Sequence, residues 1–275
     1  MKKMLTHLSL FSGIGGLDLA AEWAGFETIG QCEWADYPTK ILEKHWPDVP
    51  KWRDIHELTG ESFYERTGLR TVDIISGGFP CQPFSVAGKR RGTEDDRYLW
   101  PKMCRVIAEL KPTWVVGENV SGLIRDALDE VLESLEETGY TARAYALKAC
   151  EVGALFAGER IAIVASTNNR SAVVRRNIQF SSDVGTEGSR NHHRGRAAQF
   201  DTGEWWALKS RPYGVADGIP NRMDRIRCLG NAVVPQQFYP IFKAIAMMEG
   251  DEENGNYELS IKGTKKNCCP HRCRG

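Results

Sequence analysis

From Leu5 to about Val164 short apolar runs alternate with longer amphipathic ones, and that alternation constrains the fold more than any other property of the chain. Period-two or continuously apolar stretches predict strands at Leu5–Phe11, Glu27–Cys32, Val72–Ser76, Trp114–Glu118, Thr141–Leu147 and Ile161–Ala165. Helical spacing predicts helices at Leu17–Ala24, Tyr37–His45, Leu99–Leu110 and Leu123–Glu137. Strand and helix in alternation predict an α/β fold with a doubly wound, mostly parallel sheet, whose ligand crevice lies at the carboxyl ends of the strands.

Beyond Ser166 the texture changes. Residues 167 to about 211 are rich in Asn, Ser, Gly and Arg and hold neither period, so a small loop-rich module is expected there. That stretch carries eight Lys or Arg against four Asp or Glu, although the whole chain balances 36 against 36. A polyanionic partner would therefore meet a local basic surface and not a basic protein. Gln236–Met248 reads as a closing helix, and Glu249 onward as a polar, disordered tail. No run of 18 apolar residues occurs, and the first residues lack a signal-peptide core, which predicts a cytoplasmic location. Eight scattered cysteines, without the rhythm of a secreted scaffold, fit the same reading.

Several segments carry chemistry. Phe11-Ser12-Gly13-Ile14-Gly15-Gly16-Leu17 is a Gly-rich turn between the first strand and the first helix, where backbone approaches a ligand closely. Glu33, ending the second strand, is placed to bond a ribose, and Trp34 to stack on a purine. These features alone suit a dinucleotide equally well. Asp54 is either a hydrogen-bond partner for an adenine edge or a cap for the next segment. Gly78-Phe79-Pro80-Cys81-Gln82-Pro83-Phe84-Ser85 places a cysteine between two prolines at a strand end, where a thiolate nucleophile can be presented. Glu118-Asn119-Val120 and Gly158-Glu159-Arg160 bring a carboxyl and a guanidinium towards the same crevice. Asp217–Gln236 reads as tight turns suited to phosphate contact or as a solvated loop. Cys268-Cys269-Pro270-His271-Arg272-Cys273 lacks paired zinc-ligand spacing, so no metal is expected.

In this order the motifs resemble those of the DNA (cytosine-5)-methyltransferases over most of residues 5–248. The resemblance implies an S-adenosyl-L-methionine (AdoMet)-dependent methyltransferase sheet, Rossmann-like, with a target recognition domain. It divides the chain into a catalytic part (1–166), a short target recognition domain and hinge (167–229), a closing motif and helix (230–248) and a tail (249–275). It implies Cys81 as the nucleophile on cytosine C6, Glu118 as the group that binds and protonates N3, and Arg160 as the holder of O2. AdoMet would meet Phe11, Gly13, Gly15, Leu17, Glu33, Trp34, Asp54, Pro80, Leu99 and Asn231. DNA would meet Gln82, Ser85, Lys89, Arg90, Arg91 and Arg97 beyond the nucleophile, and Arg175, Arg176, Arg194 and Arg196 in the basic module. The implied partner is double-stranded DNA, bound by a monomer, with a cognate restriction endonuclease acting on the same site. A tRNA cytosine is the alternative substrate, and a catalytically impaired DNA-binding protein the alternative role. The latter arises because the family usually has Arg-x-Arg where this chain has Gly158-Glu159-Arg160. A dehydrogenase shares the Gly turn and Glu33 but has no use for Phe79-Pro80-Cys81-Gln82.

Overall fold

The computed structural model describes residues 4–80, 99–154, 156–167 and 220–250. Within them β1 (Leu5–Leu10), β2 (Phe26–Cys32), β3 (Lys51–Trp52), β4 (Ile74–Gly78), β5 (Trp114–Val120), β6 (Thr141–Leu147) and β7 (Arg160–Ser166) form one sheet in the order 3-2-1-4-5-7-6. Every pairing is parallel except those of β7, which runs antiparallel to both β5 and β6. The chain builds outward from β1 to one side and then, from β4, to the other. Loops leaving β1 and β4 therefore diverge, and a crevice opens at their carboxyl ends. Reversal of β7 brings its first residue, Arg160, to that same edge, opposite Val120 of β5.

Eight helices of the described residues are α1 (Gly16–Trp23), α2 (Asp36–His45), α3 (Gly60–Thr67), α4 (Trp100–Leu110), α5 (Leu123–Asp126), α6 (Leu128–Glu137), α7 (Arg222–Asn231) and α8 (Pro235–Gly250). They cover both faces of the sheet, which is why strands such as Ile161-Ala162-Ile163-Val164-Ala165 are apolar throughout and do not alternate. Ile161, Ile163 and Ala165 pack with Leu8, Leu10, Ile75 and Val115 beneath Met103 and Val106 of α4 and Val131 and Leu135 of α6. On the other face Ala162 and Val164 pack with Ile74, Trp114 and Val116 beneath Ala20 and Ala21 of α1 and Phe238, Ile241 and Phe242 of α8. Phe242 is fully buried, which contributes about 1.5–3 kcal/mol relative to exposure. Its ring meets those of Phe26 and His7 edge-on at 5.9 and 5.8 Å.

Two polar clusters pin this second face. His7 shares hydrogen bonds with Thr28 Oγ1 (3.0 Å) and Ser76 Oγ (2.7 Å), so β1, β2 and β4 are cross-linked beneath the sheet. Burial pushes its ring down to about 3. The stability it contributes is present above pH 6.5 and is lost as pH falls towards 3. Asp18 of α1 accepts from Ser9 Oγ (2.9 Å) and Gln31 Nε2 (2.8 Å), and burial raises its carboxyl to about 6. Asp18 thus anchors the first turn of α1 to β1 and β2.

The structure departs from the sequence expectations in five places. The strand expected at Val72–Ser76 runs from Ile74 to Gly78. Asp73, just before it, instead accepts from the Thr6 N–H and hydroxyl at 2.8 Å each, clamping the start of β1. The single helix expected over Leu123–Glu137 breaks at Ala127 (φ −158°). On an unbroken helix Leu123 and Leu128 would point about 140° apart; the break lets both enter the core. β3 and α3 were not expected at all. α3 contributes only Phe63 to the core, so it has no apolar period to read, but its ends carry local signals. Thr59 and Ser62 form a reciprocal capping box, and Gly68 (φ 73°) closes the helix. Where turns or a solvated loop were expected, Arg222–Asn231 is helical, with no buried residue. The closing helix, finally, runs on to Gly250, so Glu249 is not tail but accepts from Trp114 Nε1 at 2.8 Å.

Candidate active site

Five strand ends supply the crevice. After β1 the chain turns sharply, with Phe11 (φ 52°), Gly13 (φ 56°) and Gly15 (φ 86°) all in the left-handed region. Two of these bends use glycine for different reasons. Above Gly13 nothing among the described residues lies within 4 Å of a would-be Cβ, which leaves room for a ligand there. At Gly15 a Cβ would sit 2.4 Å from the Trp46 ring, which is buried and fixed by its hydrogen bond to Glu22. Gly15→Ala is accordingly expected to destabilise the fold by about 2–4 kcal/mol through combined φ strain and overpacking. A denaturant midpoint unchanged from the wild type would show that Trp46 yields freely.

Glu33 follows β2 and holds the turn in place. Its Oε2 accepts from Gly13 N and its Oε1 from Ala35 N, both at 2.8 Å, which leaves two lone pairs of the carboxylate for a ligand hydroxyl. Trp34 beside it is 79% exposed, an aromatic face bare among the described residues. Asp54, beyond β3, accepts from His56 N (2.8 Å) and Nδ1 (2.7 Å), and the backbone bond first among these holds its carboxyl below the usual range. Asp54 thus caps the following turn through Oδ1. Leu17 is buried among core side chains on the second face, so only its backbone is available to the crevice. Leu99 is half-buried at the start of α4, Pro80 is exposed at the end of the described segment, and Asn231 is exposed at the end of α7. Just after it, Val233 lies against the turn: a Cβ on Gly16 would approach its carbonyl oxygen to 2.7 Å.

Glu118 and Arg160 meet at the edge formed by β4, β5 and β7. Arg160 Nε lies 3.1 Å from Glu118 Oε1, with both side chains largely buried. Burial pushes the Glu118 carboxyl up to about 7 against the opposing pull of the Arg160 guanidinium. A group poised there can hold or give a proton at neutral pH. Gly78 lies opposite, and a Cβ there would stand 2.9 Å from Glu118 Oε2 and displace the carboxyl. Asn119, to which the sequence reading gave no role, donates from Nδ2 to Phe79 O at 2.9 Å. With the Phe79 ring buried against Trp100, this fixes the chain two residues before Cys81. Cys81 itself, with Gln82, Ser85, Lys89, Arg90, Arg91, Arg97, Arg175, Arg176, Arg194 and Arg196, lies outside the described residues.

Where the family has its first arginine, the backbone of Gly158 is left-handed (φ 46°), and a Cβ would lie 2.6 Å from the Phe156 ring and 2.9 Å from Ala149 Cβ. An arginine at 158 cannot enter this conformation without moving the loop.

An open sheet with one reversed strand, a Gly-rich turn at its switch point, and an acid and a guanidinium on the neighbouring strands define a doubly wound α/β protein with a nucleotide-type crevice. Residues 5–197 match the model of the C-5 cytosine-specific DNA methylases, and the chain belongs to that family. It is 32% identical over 181 residues to the type II methyltransferase M.HhaI of Haemophilus parahaemolyticus, covering 64% of this chain and 52% of that protein. To M.NgoFVII of Neisseria gonorrhoeae it is 35% identical over 162 residues, 57% of this chain and 42% of the relative. The chain thus spans about half or less of these relatives' length. Among solved structures, a putative DNA modification methyltransferase encoded within a prophage of E. coli superposes with a TM-score of 0.52 at 26% identity, over 59% of this chain and 46% of that one. DNMT2 of Spodoptera frugiperda has the same fold (TM-score 0.51, 23% identity, 60% and 50% covered).

Proposed function

We propose that the chain transfers a methyl group from AdoMet to C5 of a cytosine flipped out of double-stranded DNA. The observation that carries this reading is the Glu118–Arg160 pair, a carboxyl that titrates near neutrality beside a guanidinium, at the sheet edge from which the chain runs to Cys81. The crevice suits the cofactor: open space above Gly13, two spare lone pairs on Glu33 and the bare face of Trp34 match a methionine tail, a ribose and a purine. AdoMet supplies the electrophilic methyl group.

The residues of the chain prepare the base to receive it. A C5 carbon of cytosine is not nucleophilic until C6 carries an electron donor. As Cys81 Sγ bonds to C6, the C5–C6 electron pair shifts towards N3, and the proton that N3 takes comes from Glu118. Arg160 holds O2 and balances the charge that gathers on the ring. As C5 takes the methyl group, N3 returns its proton to Glu118; loss of the C5 proton then restores the C5–C6 double bond and expels Cys81 as the thiolate. Flipping the nucleotide costs a few kcal/mol, offset by phosphate contacts from Ser85, Lys89, Arg90, Arg91 and Arg97 and by Arg175, Arg176, Arg194 and Arg196 on the duplex. On this reading 167–229 forms the target recognition part, short enough to suit a short recognition sequence, and 230–248 returns to the catalytic domain. The protein acts as a cytoplasmic monomer, paired in its host with an endonuclease for the same site.

Bisulfite sequencing of DNA from a methylation-free host expressing the chain tests this. The expected result is fully protected cytosines within one short sequence context. Uniform conversion of all cytosines, with the protein present and folded, would overturn it.

A further inference from the structure

We propose that Gln237 is a positioning residue for Arg160, holding the two strands that present the guanidinium at the pair where Arg160 itself enters the sheet. Gln237 is the third residue of α8 and is 2% exposed. Its Nε2 donates to Leu147 O at 3.2 Å and to Gly158 O at 2.8 Å. Leu147 and Arg160 are cross-strand partners, the last residue of β6 and the first of β7. One amide group from outside the sheet therefore closes the mouth of the β6–β7 ladder and fixes the peptide two residues before Arg160.

The loop in between needs such a fastening. Gly158 is left-handed and crowded by Phe156 and Ala149, so position 158 has no side chain of its own to tie down the approach to β7. Arg160 is held on its other side by the Glu118 carboxylate and by donation from Nη1 to Glu159 O at 3.0 Å. Removing the Gln237 donor leaves two carbonyls without it, and the segment carrying Arg160 is free to shift. A displacement of about 1 Å at a positioning site costs on the order of 100-fold in rate. Gln237 is four residues beyond Val233, which presses on Gly16 in the cofactor turn, so the same corner of the chain could instead serve the cofactor side. The test separates the two.

This inference rests on the proposed role of Arg160, and its measurements include one that needs no catalysis. Gln237→Met keeps the volume and removes the donor. Its kcat on duplex DNA is expected to fall about 10- to 100-fold with AdoMet affinity unchanged. The double variant Gln237→Met/Arg160→Ala is expected to be no slower than Arg160→Ala alone, because both changes act through one guanidinium. By carboxyl NMR, Glu118 titrates higher in Gln237→Met than in the wild type, since Arg160 is the charged group, among the described residues, that holds its value down. Additive losses in the double variant, an unmoved Glu118 titration, or a loss confined to AdoMet affinity would each overturn the inference. If Gln237→Met fails to fold, Gly158→Ala attacks the same bond from the loop side and must give the same pattern. An inactive wild type would sink the proposed function, whereas the Glu118 titration would still decide the Gln237 contact.

Discussion

Cys81→Ser is expected to lower methyl transfer by roughly 10⁴- to 10⁶-fold, the scale seen when a covalent nucleophile is removed, while AdoMet binding changes by no more than about 0.4 kcal/mol. A serine hydroxyl at this position reaches slightly less far than the thiol and holds almost no anion at neutral pH, and the addition to C6 needs the anion. DNA containing 5-fluorocytosine is the decisive substrate. After Sγ adds to C6 and the methyl group arrives, fluorine cannot leave C5 as a proton does, so the wild-type protein stays covalently attached. The adduct should map to Cys81 and disappear in Cys81→Ser. Three of the other cysteines are poor competitors on physical grounds: burial pushes the Cys32 thiol up to about 12 and that of Cys104 to about 11, and Cys228 is raised as well. An adduct mapped to Cys150, or one that persists in the serine variant, would show that the nucleophile has been misassigned. Loss of AdoMet binding in that variant would mean instead that residue 81 belongs to the cofactor site.

The parts of this fold legible in the sequence are those where one physical requirement acts on many residues at once. Ile74-Ile75, Trp114-Val115-Val116 and Ile161-Ala162-Ile163-Val164-Ala165 are apolar on consecutive positions because the sheet is covered on both sides, and that requirement repeats along each central strand. β3 and α3 escaped because each contributes one large side chain, Trp52 and Phe63, whose rings stack 6.2 Å apart; two residues make no period. The break at Ala127 is a tertiary decision, taken by Leu123 and Leu128 competing for the same core. Glu33 and Glu118 were legible as crevice residues because they lie at or near the carboxyl ends of their strands, where such sheets place their ligands. Arg160 begins its strand, so it reaches that edge only because β7 is reversed, and nothing local in Arg160-Ile161-Ala162 declares the direction. Asn119 and Gln237 act on backbone carbonyls 40 and 79–90 residues away, and such a bond leaves no trace in the spacing of a single chain.

Glu118→Gln should separate the two consequences of one buried carboxyl. In activity, the amide keeps the shape and can still meet N3, but it has no proton to give, so a fall of roughly 10²- to 10⁴-fold is expected. The wild type should lose rate on the alkaline side as Glu118 ionises near pH 7, and the variant should lack that limb. In stability the sign runs the other way. Folding raises the carboxyl from 4.5 to about 7 because burial disfavours the charge. The folded state is therefore favoured most below pH 4.5, and that contribution is lost as pH rises through 7, by about 3 kcal/mol at most. Glutamine does not ionise and removes the slope. Arg160 loses its ionic partner in the variant, which opposes the gain at high pH, but the two terms differ in shape: the difference in unfolding free energy between variant and wild type should climb between pH 4.5 and 7 and flatten above. Denaturant melts of both proteins across that range measure it. A difference that stays flat would show that Glu118 is already ionised throughout, held so by Arg160, and a carboxylate without a proton cannot be the acid that meets N3.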